Sequence, residues 1–146
     1  PRPYFNLAVI KNTISKDFRL TVKYKPLSGY VDQGGGLVWR YQDPDNYYLA
    51  RANPLEHDFR VYRVIGGKRE LFQKAEVEAP SGEWHTLSVT MQGTHIVCEL
   101  DGRQYLEVHD ETFRDPGIVG VWTKADANTA FDELTVEPLD EKAEHR

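Results

Sequence analysis

Arg40, Arg51, Asn53, Trp122, Lys124 and Asp126 are the side chains whose types and spacing could act together on a ligand. In Leu37-Val38-Trp39-Arg40-Tyr41, strand alternation sets Val38 and Arg40 opposite Leu37, Trp39 and Tyr41. In Tyr47 to Asn53, the set Tyr47, Leu49, Arg51 and Asn53 opposes Tyr48, Ala50 and Ala52. In Val119 to Lys124, the valines and Thr123 share one face, and Gly120, Trp122 and Lys124 the other. If the valines face the core, Trp122 stands on the wetter side. An indole offers flat apolar area to the C–H face of a sugar ring, while Arg, Asn and Asp hydrogen-bond its hydroxyls. Taken singly, each of these residues is better read as a solvated surface group or a packed second-layer aromatic than as a ligand contact. Arg40 and Arg51 lie on strands joined by a short link, so they are expected to stand together, and paired guanidiniums seek an anion, a carboxylate or a polyol.

Cleavage of a glycosidic bond would need two carboxylates, about 5–5.5 Å apart for retention and wider for inversion. Glu99 and Asp101 have same-face spacing, but Asp101 precedes Gly102 and serves a turn; Asp43 and Asp45 flank Pro44 in another. Glu107 with His109 is the remaining same-face pair. None makes a catalytic centre, and the catalytic residues stay unassigned. Asp132 and Glu133 alternate, so one of them faces a neighbouring edge or loop, where a carboxylate could help hold a structural calcium. No other cofactor is required by the residue pattern. There is no His or Cys spacing for zinc and no serine elbow, and Gly34-Gly35-Gly36 reads as a flexible or tightly packed loop. Trp84 is expected to start a strand and pack over a core edge, and Cys98, between apolar neighbours, to be a buried small hydrophobe.

The elements that position these residues are strands. Period-2 alternation predicts one near Phe5–Val9, then Phe18–Lys25, Gly36–Gln42, Tyr47–Asn53, Phe59–Ile65, Lys68–Lys74, Trp84–Met91, Thr94–Leu100, Arg103–His109, Ile118–Thr123 and Ala130–Val136. Gly66-Gly67 and Asp101-Gly102 mark tight hairpins, and Asp43-Pro44-Asp45-Asn46 a third link. One turn around Asp110–Phe113 is the only helical candidate. So many antiparallel strands with short links imply an all-β, two-sheet antiparallel sandwich. The length of 146 residues suits a single domain, assigned to 1–137 with a charged tail over 138–146. A net charge of −5 argues against a nucleic-acid partner. No run approaches the ~18 apolar residues of a membrane span, so no membrane insertion is expected.

Several segments together resemble the concanavalin A-like lectin/glucanase superfamily, in particular the bacterial group related to the 3-keto-disaccharide hydrolase domain. They are Gly35–Asp43, Asn46-Tyr47-Tyr48 with Arg51-Ala52-Asn53, Gly82–Leu87, Leu100-Asp101-Gly102, Asp110–Phe113, Gly117–Asp126 and Phe131–Leu134. The resemblance covers roughly 17–136. It implies a jelly-roll sandwich with one concave sheet on which relatives bind or cleave glycans. It would put Trp39, Arg40, Arg51, Trp122 and Lys124 on or near that face. The Glu-x-Asp-x-Glu motif of the superfamily's laminarinase-like enzymes is absent. Relatives carry a further strand and loop before the equivalent of Tyr4, so one sheet edge is expected to be trimmed or incomplete. Many are exported, which implies a soluble periplasmic or extracellular protein.

Three functions remain open from sequence. A carbohydrate-binding domain with an oligosaccharide or glycan partner explains the face residues without an acid pair. A sugar-active, 3-keto-disaccharide-like hydrolase rests on the relatives. A structural or protein-interaction sandwich would require an apolar face buried on another chain.

Overall fold

In the computed structural model the alternating segments form two antiparallel sheets. Residues 5–10, 16–28, 34–124 and 128–139 are described, with 5–10 and 124 as backbone only. The strands are β1 (Phe5–Ile10), β2 (Phe18–Ser28), β3 (Gly35–Asp43), β4 (Asn46–Asn53), β5 (Asp58–Ile65), β6 (Lys68–Glu76), β7 (His85–Gln92), β8 (His95–Leu100), β9 (Arg103–His109), β10 (Ile118–Lys124) and β11 (Asn128–Pro138). A six-stranded sheet has the order β1-β10-β3-β4-β5-β6, and a five-stranded sheet the order β11-β2-β7-β8-β9. No helix occurs among the described residues; the segment expected to make a helical turn, Asp110–Phe113, is irregular loop.

Each sheet lays one side-chain parity into a shared interior. Phe18, Leu20, Val22 and Tyr24 of β2 and Leu87, Val89 and Met91 of β7 meet Leu37, Trp39, Tyr48, Ala50, Phe59 and Val61 from the six-stranded sheet. Fully burying a side chain of this size contributes about 1.5–3 kcal/mol, so this interior is what holds the sheets together. Cys98 lies within it, its thiol pushed up by burial. The hairpin glycines do what their sequence implies: Gly66 and Gly67 sit at φ 57° and 80°, and Asp101-Gly102 at 51° and 81°, the positive values that a two-residue antiparallel turn needs.

Two departures from simple alternation matter. In β3, the pairing runs Gly120↔Val38 and then Ile118↔Tyr41, so Trp39 and Arg40 together oppose Val119. This bulge holds Arg40 at φ 45°, a left-handed value uncommon for a residue with a Cβ. It returns Tyr41 to the outer face, stacked on Tyr47 with ring centroids 5.6 Å apart, instead of the face of Leu37 and Trp39 that unbroken alternation assigned it. In β11, the register shifts between Asp132↔Lys23 and Thr135↔Thr21, and Glu133 takes φ 52°. The strand runs through Pro138, and Leu139 N donates to Asp17 O at 3.1 Å, so both belong with the sandwich rather than with a tail starting at 138.

Candidate functional site

The outer face of the six-stranded sheet is ordered in ranks by its registers. One rank is Gly120–Val38–Leu49–Tyr62–Leu71, and the next is Trp122–Gly36–Arg51–Arg60–Lys74. Tyr47–Val64–Arg69 lies beyond the first, and Asn53–Asp58–Glu76 beyond the second. These registers set Trp122, Arg51 and Asn53 on the one face.

These residues form its floor rather than its surface. Trp122, Val38, Tyr47, Leu49, Tyr62 and Val64 make a second buried cluster with Tyr41 against it. Trp122 is fully buried, contrary to the expectation of a wet aromatic. Gly36 is needed here because a Cβ would meet the Ala50 carbonyl at 2.6 Å and the Arg51 Cβ at 3.1 Å. The three-glycine segment thus reaches into strand and packs tightly, with Gly35 and Gly36 both inside β3.

Other expected site residues fall elsewhere. Trp39 points into the core, where its indole N–H donates to the Met91 sulfur at 3.4 Å. Arg40, 1% exposed, donates to the carbonyls of Phe113 and Lys16 at 2.9 Å each and reaches Asp17 at 3.3 Å. It is a clamp on two loops, and burial lowers its pKa from the ordinary guanidinium value. Arg40 and Arg51 do not stand together, because Arg51 registers with Gly36, four residues before Arg40. Asn53 caps the β4–β5 turn, accepting from Leu55 N at 3.0 Å and donating to Glu56 at 3.3 Å. Lys124 ends β10, its side chain outside the described set, and Asp126 lies outside the described residues.

Toward β5 and β6 the face opens. A depression of about 620 Å³ is lined by Asp45, Tyr47, Arg60, Tyr62, Arg69 and Leu71, among others. A second, of about 480 Å³, is bounded by Glu56, Asp58, Arg60, Lys74, Ala75 and Glu76. Arg60 is common to both, so the two form neighbouring parts of one face. Volumes of 300–1,000 Å³ are those of ordinary small-ligand sites.

Electrostatics divide this face. Arg51, Arg60 and Lys74 stand directly opposite one another across strands, an arrangement that repels unless neutralised. Carboxylates from the adjacent rank and turn supply that charge. Arg60 meets Asp58 at 2.6 Å and Glu56 at 3.3 Å, while Arg51, 3% exposed, lies 3.7 Å from Glu56. Hydrogen bonding to Tyr62 and then to Asp58 raises the Arg60 pKa against the opposing cost of burial. Asp58 keeps its other oxygen, Oδ1, buried and without a hydrogen-bond partner among the described residues. The larger depression is lined by Arg60, Lys68 and Arg69 against one carboxylate, Asp45. Its neighbour carries three carboxylates against two cations. Donors thus predominate at one end and acceptors at the other. Tyr62 adds an aromatic ring, with the Arg69 guanidinium 5.3 Å from its centroid. Burial pushes the Tyr47 phenol above its ordinary range, so it is neutral at physiological pH.

Sequence reasoning missed Arg60, Tyr62, Arg69 and Asp58. They lie on one parity of Asp58–Ile65 and across the Gly-Gly hairpin, so alternation could have found them; nothing local distinguished this open edge from the covered centre.

The acid candidates are engaged. Glu99 pairs with Arg19 at 2.9 Å, Glu107 with His95, and Asp101 with His85 at 2.8 Å. Asp132 accepts from Glu133 N at 2.8 Å, and Glu133 pairs with Lys23 at 3.0 Å. Among the described residues no group of three or more His, Cys, Asp or Glu is arranged to hold a metal. No helix among them is long and apolar enough to cross a membrane.

The family described as "Galactocerebrosidase, C-terminal lectin domain" matches residues 18–139. No curated protein matches. Among solved structures, carbohydrate-binding module CBM66 from Bacillus subtilis superposes with a TM-score of 0.84 at 20% identity, over 91% of this chain and 81% of that one. Galectin LEC-6 from Caenorhabditis elegans gives 0.67 at 15% identity, over 94% and 92%. CG-16, a homodimeric agglutinin from chicken liver, gives 0.69 at 11% identity, over 92% and 100%. At these identities the structures establish a shared lectin-type sandwich fold.

Proposed function

The chain belongs to the galactocerebrosidase C-terminal lectin domain family, and from that premise we propose that it binds an oligosaccharide along the open β4–β5–β6 part of the six-stranded sheet. The observation that carries this reading is the pair of depressions meeting at Arg60, one rich in donors, the other in carboxylates. A sugar hydroxyl both donates and accepts, so a saccharide lying across Arg60 satisfies both ends. Arg60 and Arg69 donate to ring and hydroxyl oxygens over a floor that includes Tyr62, and the carboxylates of Glu56 and Glu76 accept hydrogen bonds from hydroxyls. Arg51, Asn53 and Trp122 act from beneath by holding Glu56, the turn and the sheet floor in place.

The family's name makes β-galactosides the first ligands to test. In titration calorimetry and ligand-observed NMR, a β-galactoside from a broad glycan array binds saturably, and Arg60→Met weakens it about ten-fold or more, the worth of a charge-assisted hydrogen bond. A folded protein that binds no glycan on the array rules the reading out. The periplasmic or extracellular location expected from the resemblance is part of the same proposal, checked by fractionating the native host.

Hydrolysis, the finer reading that kinship with the 3-keto-disaccharide group would bring, is supported by Glu56, Asp58 and Glu76 around one depression. Its test is the same NMR sample followed with time: new anomeric signals that scale with protein and vanish in Asp58→Asn support it.

A further inference from the structure

The five-stranded sheet presents a second aromatic and polar depression on the opposite side of the molecule. It measures about 330 Å³ and is lined by Lys23, Trp84, His85, Thr86, Asp132 and Glu133. Trp84 is 49% exposed, whereas Trp39 and Trp122 are fully buried. The sequence expectation that it packs over a core edge is not met.

The indole stands on a segment fixed at both sides. Before it, Gly82 N donates to Pro26 O at 2.8 Å. After it, His85 lies between Asp101 Oδ2 at 2.8 Å and Pro80 O at 2.9 Å, and Thr86 N donates to Asp101 Oδ1 at 2.8 Å. A rigid aromatic loses little entropy when a ligand covers it, which favours binding over a mobile ring.

The surrounding polar groups arrive by register. Asp132, Lys23 and Thr86 form one cross-strand rank over β11, β2 and β7. The β11 bulge then turns Glu133 to the same side, where it meets Lys23, so both acids join one depression although alternation assigns them to opposite faces. Lys25 Nζ lies 6.0 Å from the Trp84 ring centroid. The Lys23–Glu133 pair is about half exposed on both sides, so it is held weakly and can exchange its contact for a hydroxyl.

We propose that the Trp84 depression is a second saccharide subsite, on the face opposite the Arg60 groove, in which a sugar ring stacks on the indole and its hydroxyls bond Asp132, Glu133, Lys23 and Thr86. Saccharides fit because the site mixes one flat apolar plate with donors and acceptors of both charges. A domain with sites on both sheets would engage a branched or dense glycan surface bivalently, gaining avidity with no further contacts.

The test exploits the burial of the other two tryptophans. The Trp84 indole N–H signal, assigned by its absence in Trp84→Phe, is followed with acrylamide quenching during titration with galactose, lactose, cellobiose and mannobiose. At least one probe shifts that signal saturably and protects the fluorescence of the exposed Trp84 from acrylamide. The joint variant Asp132→Asn, Glu133→Gln weakens the response at least five-fold, and Arg60→Met leaves it unchanged. The proposal is overturned if no probe moves the Trp84 signal, if the joint variant responds as the wild type does, or if Arg60→Met removes the response. A Trp84 response in the wild type together with an overall glycan affinity unchanged by Arg60→Met would instead count against the first site alone.

Discussion

Trp122 and Trp84 show how little an aromatic's identity says about its role. Trp122 sits beside Gly36 in a rank that ends in cations, yet its indole fills the sheet floor. Removing it leaves a cavity beneath the proposed groove, and a buried Trp→Ala costs about 3–5 kcal/mol. Trp122→Ala should therefore lower the urea midpoint sharply, while Trp84→Ala leaves it within about 0.5 kcal/mol of wild type, as expected of an exposed side chain. Equal midpoints for the two variants would contradict the burial of Trp122. Arg51→Ala belongs with Trp122→Ala: it uncovers Glu56 and disturbs the floor, so weaker sugar binding in that variant would not identify a ligand contact. Alternation made Arg51 and Trp122 legible as face residues. It could not show that they are covered, because coverage depends on neighbours distant in the chain.

At the scale of elements, side chains of the six-stranded sheet fasten the loop between β9 and β10. Tyr48 donates to Asp110 at 2.6 Å and accepts from Phe113 N at 3.2 Å, Arg63 reaches Asp110 and Thr112, and Arg40 holds the Phe113 carbonyl. Gly117 completes the contact, since a Cβ there would lie 2.7 Å from backbone atoms of Arg40 and Tyr41. Burial disfavours the Asp110 carboxylate, but hydrogen bonds from Tyr48 and Thr112 and the charge of Arg63 outweigh it and lower its pKa. The unfolded chain has the ordinary value of about 3.9, so this carboxylate stabilises the fold above that pH, and the contribution disappears as pH falls through the lower folded value. Thermal melts should show wild type losing stability as pH falls from about 5. Asp110→Asn should be less stable at neutral pH and have a flatter acid limb; parallel acid limbs would refute the linkage. The strands themselves were legible from period-2 patterning and turn chemistry. The bulges at Arg40 and Glu133 were not, because an extra residue in a ladder is decided by the partner strand.

For the whole molecule, the two sheets bury a common interior, and Cys98 lies within it with its thiol pushed up by burial. A buried, protonated thiol reacts only when the sheets part. Labelling of Cys98 by a thiol reagent should thus follow the same denaturant curve as tryptophan fluorescence; modification well below the unfolding midpoint would show that the sheets separate locally. The same rigid sandwich holds the Arg60 groove and the Trp84 depression on opposite outer faces, each built from cross-strand ranks.

The strand count, the hairpins, the sandwich architecture and the buried state of Cys98 follow from local patterning, because alternation and turn residues act over a few positions. The sheet order, the two bulges, the burial of Trp39, Arg40 and Trp122, and the exposure of Trp84 were decided only by tertiary structure. Whether a side chain with the right parity meets solvent depends on what packs above it. For Trp39 and Arg40 that covering comes from Met91, Lys16 and Phe113, tens of residues away, whose placement no local period encodes.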